Sequence, residues 1–534
     1  MEAMDAEATP SKCPDLAENM ERANRSYREY AGVEEKASKR EMVTWYAYNL
    51  FSHFIPAVLI PIVFSLMVGQ MLPKPSVDGD LQSLHCSVKE TELYQSLTHH
   101  TLKISDLHLS ALNWVAISWT AGTVITAPLL ILSAHFLDHG PLHHLQFGVS
   151  AALGALFCLP TGFFRSVWPF PLYISAISSG ATFGLAAHTR HLGLMIRGAT
   201  GNIAGDELFT MRKSAGSRIS VYGTAAGGIG AAIISSFAYR MAGHSDKFSN
   251  LWIVSIFSGI IWLVGIAHYL SGIRPPAAQN SPKWSASHAF APRKYPHAVG
   301  TLAGVFLSSF ATMCIFAATS IHLQGKLCYE AHDILYTWLI YFLIPTFSLP
   351  LLRYLQLSIK SDAMKMQVAG LLAGAVTSGT GFYFQNRTWH REHLFFFTMV
   401  QGVAAGILHT YGRVLLVDCS PAGKEGAFSA CFAWVKMAGT CAGFTIATSF
   451  SGVTIPFSCS FLASILGFGV FVFGNVSNKG GVVGAGHGKE EEGLLEGRSP
   501  VNGFDTRRSS HWKGSARAAI NLEEEIRSSS QVSK

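Results

Sequence analysis

Charge is what this chain lacks most. Asp, Glu, Lys and Arg make up 14% of its 534 residues, where a soluble chain of this size carries about a quarter. That shortage excludes a large soluble surface. Hydrophobic residues at 49% and a mean hydropathy of +0.29 point instead to an integral membrane protein. The signatures of an enzyme are missing too. There is no HExxH, no phosphate-binding loop and no catalytic pair facing a cavity, so the chain is read as a non-enzyme. No CxxC or paired Cys/His spacing marks structural zinc, and no metal or cofactor is assigned. The net charge of +7 comes from basic residues in tails and loops rather than a stripe, which argues against nucleic acid. No cleavable signal peptide is expected, since roughly the first forty residues are polar, and the first apolar helix is expected to be its own insertion signal.

What is present is a succession of apolar runs, each near the about 20 residues that a membrane span needs. Twelve are expected, at about 46–70, 112–136, 146–164, 171–194, 216–239, 250–273, 299–322, 331–352, 364–384, 393–417, 427–450 and 454–474. The expected fold is therefore all-α, with about twelve transmembrane helices in two six-helix halves. The expected divisions are an N-terminal tail over 1–42, a first half over 43–273, a central loop over 274–298 rich in Pro, Ser, Lys and Arg, a second half over 299–475, and a polar tail over 476–534 read as disordered. Two parallel halves around a midplane site are a transporter layout. Fifty glycines suit close helix packing; Gly223, Gly227, Gly228 and Gly230, then Gly439 and Gly443, form small-residue surfaces on which helices could pack and slide. Cys158, Cys314, Cys431, Cys441 and Cys459 fall in apolar runs and read as packing residues.

Basic residues favour the even-numbered connections: Arg197, Arg212 and Lys213, then Arg274, Lys283, Arg293 and Lys294, then Arg353, Lys360 and Lys365. The positive-inside rule then puts both termini in the cytosol. Cys86 and Cys328 lie in odd connections, either as a lumenal disulfide or as two unrelated thiols. The Asn386-Arg387-Thr388 sequon is on the same side, too near the membrane to be modified.

Polar residues inside spans are costly, so each is a site candidate. Lys436 lies about nine residues into the eleventh expected span, near mid-depth at 1.5 Å per residue. It either faces a cavity and pairs with a substrate carboxylate or makes an interhelical pair. His409 and Arg413 are one turn apart in the tenth span, with Gln401 two turns away. Arg413 is nearer the span end, where a gating role is as reasonable as substrate contact. Asn49 and His53 repeat the i, i+4 spacing in the first span, lining a cavity or bonding between helices. The expected substrate-binding set is Asn49, His53, Gln401, His409 and Lys436. No Asp or Glu falls mid-span; Asp138, Asp333 and Asp418 are at edges. Proton coupling through a carboxylate thus has no residue, and a facilitator, or coupling through His53 or His409, fits better.

The turn after the second span reads HFLDHGPLHH, from His135 to His144. His135, His139 and His143 have i, i+4 spacing, but Gly140 and Pro141 break the helix and keep the three off one face, so no metal site is assigned. The turn resembles the loop signature of the major facilitator superfamily. Asp138 and Gly140 match it, while His143 and His144 stand where Lys or Arg is usual.

Three further segments resemble the vacuolar amino-acid effluxer family, the autophagy-related transporters of fungi. They are EMVTWYAYNLF from Glu41, with Asn49 replacing an acid common there; SRISVYGTAAGGIG from Ser217; and the stretch from Arg413 through Pro421, Gly423, Lys424 and Glu425 to Lys436 and Gly443, with Ala427 replacing another acid. The resemblance implies export of amino acids from a vacuole to the cytosol. The tail carries Glu490, Leu494 and Leu495 in the acidic dileucine pattern that sorting adaptors read, which agrees with a vacuolar membrane; the plasma membrane is the alternative address. Arg507, Arg508, Ser509 and Ser510 form a candidate kinase site. The functional expectation is alternating-access transport of a small organic solute across a lipid bilayer. Other solute classes (metal chelates, sugars, inorganic anions) and a transporter-like sensor without flux remain alternatives.

Overall fold

Each expected apolar run forms a helix in the computed structural model. It describes residues 36–73, 94–139, 143–200, 206–242, 247–272, 286–323, 331–385 and 389–476, apart from single positions at 105, 360, 422, 451 and 475. Gly140, Cys86, Cys328, the 386–388 sequon, residues 1–35 of the expected N-terminal tail and the tail residues Glu490, Leu494, Leu495 and 507–510 lie outside the described residues.

In chain order the helices are α1 (Lys39–Met71), α2 (Ala111–His139), α3 (His143–Leu156), α4 (Phe170–Thr200), α5 (Asp206–Ala242), α6 (Lys247–Leu270), α7 (Pro296–Ala318), α8 (Ala331–Ser358), α9 (Ala363–Tyr383), α10 (Arg391–Cys419), α11 (Glu425–Ser449) and α12 (Thr454–Phe473). Ten are long and apolar enough to cross a membrane. The other two, α3 and α9, occupy the third and ninth expected positions. The short antiparallel hairpin of β1 (Thr101–Ile104) and β2 (Leu107–Ser110), with Thr101 opposite Ser110, precedes α2.

Helices run past the apolar cores that announce them. α5 is 37 residues long, because polar turns at its ends satisfy their backbone groups by continuing the helix rather than stopping at the apolar boundary. α1 begins in a capping box: the Ser38 hydroxyl accepts from the Glu41 N–H at 3.1 Å, and the Glu41 carboxylate accepts from the Ser38 N–H at 3.3 Å. Glu41 thereby falls inside the helix, buried, with His191 of α4 2.9 Å away. Immediately after His53, α1 widens into a π-helical stretch, Ile55–Phe64. Pro56 and Pro61 withhold two amide donors there, and the wider coil lets the helix continue past them.

The outward surface is apolar. Val124 at 62%, Phe347 at 71% and Leu351 at 70% stand exposed on α2 and α8, a pattern that only lipid contact makes favourable. Inside, α2 packs on α11, and α5 packs on α8. Shifting every helix number by six turns one pair into the other, so the halves face each other with approximate two-fold symmetry. The α4–α11 and α5–α10 contacts are related in the same way.

Glycine sets one of these cross-half contacts. A Cβ on Gly228 of α5 would stand 2.6 Å from the Phe342 carbonyl oxygen and 2.9 Å from the Thr346 hydroxyl, both on α8. Gly439 and Gly443 instead approach carbonyls of Phe306 and Phe310 on α7, within one half. Gly228→Ala is therefore expected to cost about 1–3 kcal/mol by overpacking, read as a lower melting temperature in detergent. Gly469→Ala, with nothing within 4 Å, should melt as the parent does.

Candidate functional site

At mid-depth the two halves enclose a cavity of about 170 Å³. α1 contributes Asn49 and His53, α10 contributes His409, and α11 contributes Lys436, the twelfth of its 25 residues. Four of the five expected substrate-binding residues thus line one space. Gln401 is not among them. Its Oε1 accepts from the Thr377 hydroxyl at 2.6 Å, turning it toward α9. Hydroxyls of Thr224, Ser308, Thr312 and Thr440 add polarity to the walls, and among the described residues none that lines the cavity is a carboxylate.

His409 is the hub. Lys436 Nζ contacts its Nδ1 and lies 3.1 Å from its Nε2. Arg413 Nη2, one turn along α10, is 3.2 Å from the same Nε2. The His53 ring of the other half meets it edge-on at 4.8 Å. Lysine and arginine carry donors only, so the imidazole must act as the acceptor for both. One ring nitrogen cannot satisfy two cationic groups. Arg413 is fully buried, its Nε and Nη1 have no hydrogen-bond partner, and neither does Asn49 Nδ2. The cluster holds more donors than the protein satisfies.

Arg413 also lies across the interface between halves, its Cζ 5.4 Å from the Trp45 ring centre. Trp45 is locked to α4 by reciprocal bonds: its indole N–H donates to the His188 carbonyl at 3.0 Å, and His188 Nε2 lies 3.0 Å from the Trp45 carbonyl. The two rings stack at 4.1 Å. Sequence reasoning missed His188, although His188, Arg190 and His191 in an apolar run carry the same signal as Lys436.

The end of the bundle where α2 finishes is tied shut. α11 starts at Glu425 without a side-chain cap from its preceding residue. Its cap comes from the other half: the Asp138 carboxylate accepts from the Gly426 N–H at 2.5 Å and the Ala427 N–H at 2.9 Å. Arg190 Nε is 3.9 Å from the same carboxylate. Nearby, Arg197 of α4 pairs with Glu425, and Arg212 of α5 donates to the Val417 carbonyl at 2.9 Å. Ser220 of α5 donates to the Thr410 carbonyl at 2.9 Å. These links join elements of opposite halves.

No protein-family model matches the chain, and no curated protein matches it. Among solved structures it is similar to the human organic anion transporter MFSD10 (TETRAN), with TM-score 0.51 and 11% identity over 81% of this chain and 99% of that one. It is also similar to a bacterial homologue of the iron transporter ferroportin in an outward-facing state, with TM-score 0.50 and 13% identity over 81% and 98%. The likeness extends over nearly the full length of both structures. The chain has the all-α membrane fold of the major facilitator transporters.

Proposed function

We propose that this protein is a secondary-type membrane transporter that carries a small organic solute with an anionic group, by alternating access around the central cavity. One observation supports this above the others: Lys436 and Arg413 converge on a single imidazole beside a cavity that, among the described residues, no carboxylate lines. An oxyanion entering there would accept the donors that His409 leaves unsatisfied. The organic anion transporter among the similar structures agrees with this chemistry.

Amino acids, released from a vacuole to the cytosol, are the solute class we favour. The three segments resembling the vacuolar effluxers meet at the cavity, where they supply Asn49, Thr224 and Lys436. Their carboxylate suits the cationic cluster, and their ammonium suits the surrounding hydroxyl and amide oxygens. Both termini are assigned to the cytosol, with the tail dileucine as the sorting signal.

Uptake into reconstituted vesicles should be abolished by Lys436→Ala while the protein remains monodisperse and correctly sorted. Wild-type uptake by that variant would remove Lys436 from the binding site. Alternating access also requires the Asp138 cap to break. Asp138→Asn weakens a charge-assisted cap by about 1.4 kcal/mol. In a chain with every cysteine but Cys419 replaced by serine, this should raise thiol labelling of buried Cys419, at the closed end, about tenfold. An unchanged rate would mean that the cap does not hold that end shut.

A further inference from the structure

Three imidazoles meet at the closed end. His135 and His139 lie one turn apart near the end of α2, and His288 comes from the short 3-10 helix Ala286–Lys294 between α6 and α7. Their ring centres are 5.1, 5.4 and 5.3 Å apart, and one ring nitrogen from each lies within 4.8 Å of the others. Interplanar angles of 52°, 83° and 57° rule out stacking as the reason for this triangle. His288 Nε2 is 2.8 Å from Asp138 Oδ2, and the Asp138 side chain is 1% exposed.

We propose that His135, His139 and His288 bind a divalent transition-metal cation of the zinc class, fastening the Ala286–Lys294 segment to the end of α2. With Zn–N at about 2.1 Å and about 1.1 Å from nitrogen to ring centre, three tetrahedrally placed imidazoles have centres about 5.2 Å apart. The observed triangle already has that spacing. Binding then requires rings to turn about χ2, which is soft for histidine, to bring the nitrogens to about 3.4 Å. Asp138 completes a carboxylate–histidine–metal arrangement: donation of Nε2–H to the carboxylate leaves the Nδ1 lone pair of His288 for the ion. Nitrogen-only donors select against calcium and magnesium, which take oxygen. The fourth position is left for water or another ligand.

Cobalt(II) titration of the full-length protein, purified in detergent through a tag without histidine, tests the site. Wild type should take up one equivalent with the intense visible absorption of tetrahedral cobalt, bleached by zinc. The triple variant His135→Gln, His139→Gln, His288→Gln should lose that signal while eluting as the parent does. No tetrahedral signal in wild type, or an equal signal in the folded triple variant, overturns the proposal. Should the triple variant aggregate, Asp138→Asn decides: affinity is expected to fall about 10–100-fold, and unchanged affinity overturns the proposal.

Discussion

Two backbone N–H groups at the start of α11 find their acceptor not in the preceding turn but in Asp138, 288 positions before Gly426 in the chain. A helix normally brings its own cap from the residue that precedes it. Here Lys424 brings none, and the helix N-terminus, with its partial positive charge, is completed by a carboxylate from the other half. The closed end depends on this arrangement. Arg190 stands beside the same carboxylate, and His288 engages its second oxygen. Arg197 and Glu425 add a second ionic link one residue away. Removing Asp138 from this position leaves two amides and a histidine without this acceptor.

The cationic cluster at mid-depth has the opposite character. Burying a lysine and an arginine in a membrane bundle costs several kcal/mol unless partners compensate. His409 compensates in part, as an acceptor shared between the two, and the Trp45 face accepts the guanidinium through its quadrupole. The remaining donors are unsatisfied. Arg197 and Arg212, by contrast, each have a carboxylate beside them, Glu425 and Asp418.

Much of this was legible in the sequence, for a simple reason. A lipid environment forces about 20 apolar residues per crossing and makes each polar exception expensive. Hence all twelve helices, and Asn49, His53, His409 and Lys436 as neighbours, followed from position alone. Gln401 did not follow its expected face. Eight residues of α-helix turn through about 800°, which leaves it about 80° past His409 and directed at Thr377. The α11 cap and the histidine triangle were illegible because both join segments far apart in the chain. The expectation that Gly140 and Pro141 keep His143 away from His135 and His139 falls on positions outside the described residues. Nothing local indicated that His288 would stand beside His135 and His139.

Alternating access needs a ligand whose affinity differs between two arrangements of the halves, since equal affinity shifts no population. The cavity supplies the means for such a difference. Its donors come from α10 and α11, whereas His53 and Asn49 come from α1 in the other half. On the proposed reading, an anion bound between them would draw these groups together. At Gly228, α5 comes close to the α8 backbone and to the Thr346 hydroxyl, which donates to the Ala225 carbonyl at 3.1 Å. On the proposed reading, the Asp138 cap opposes opening of the closed end, and the unsatisfied donors of Arg413 are what a bound solute would engage.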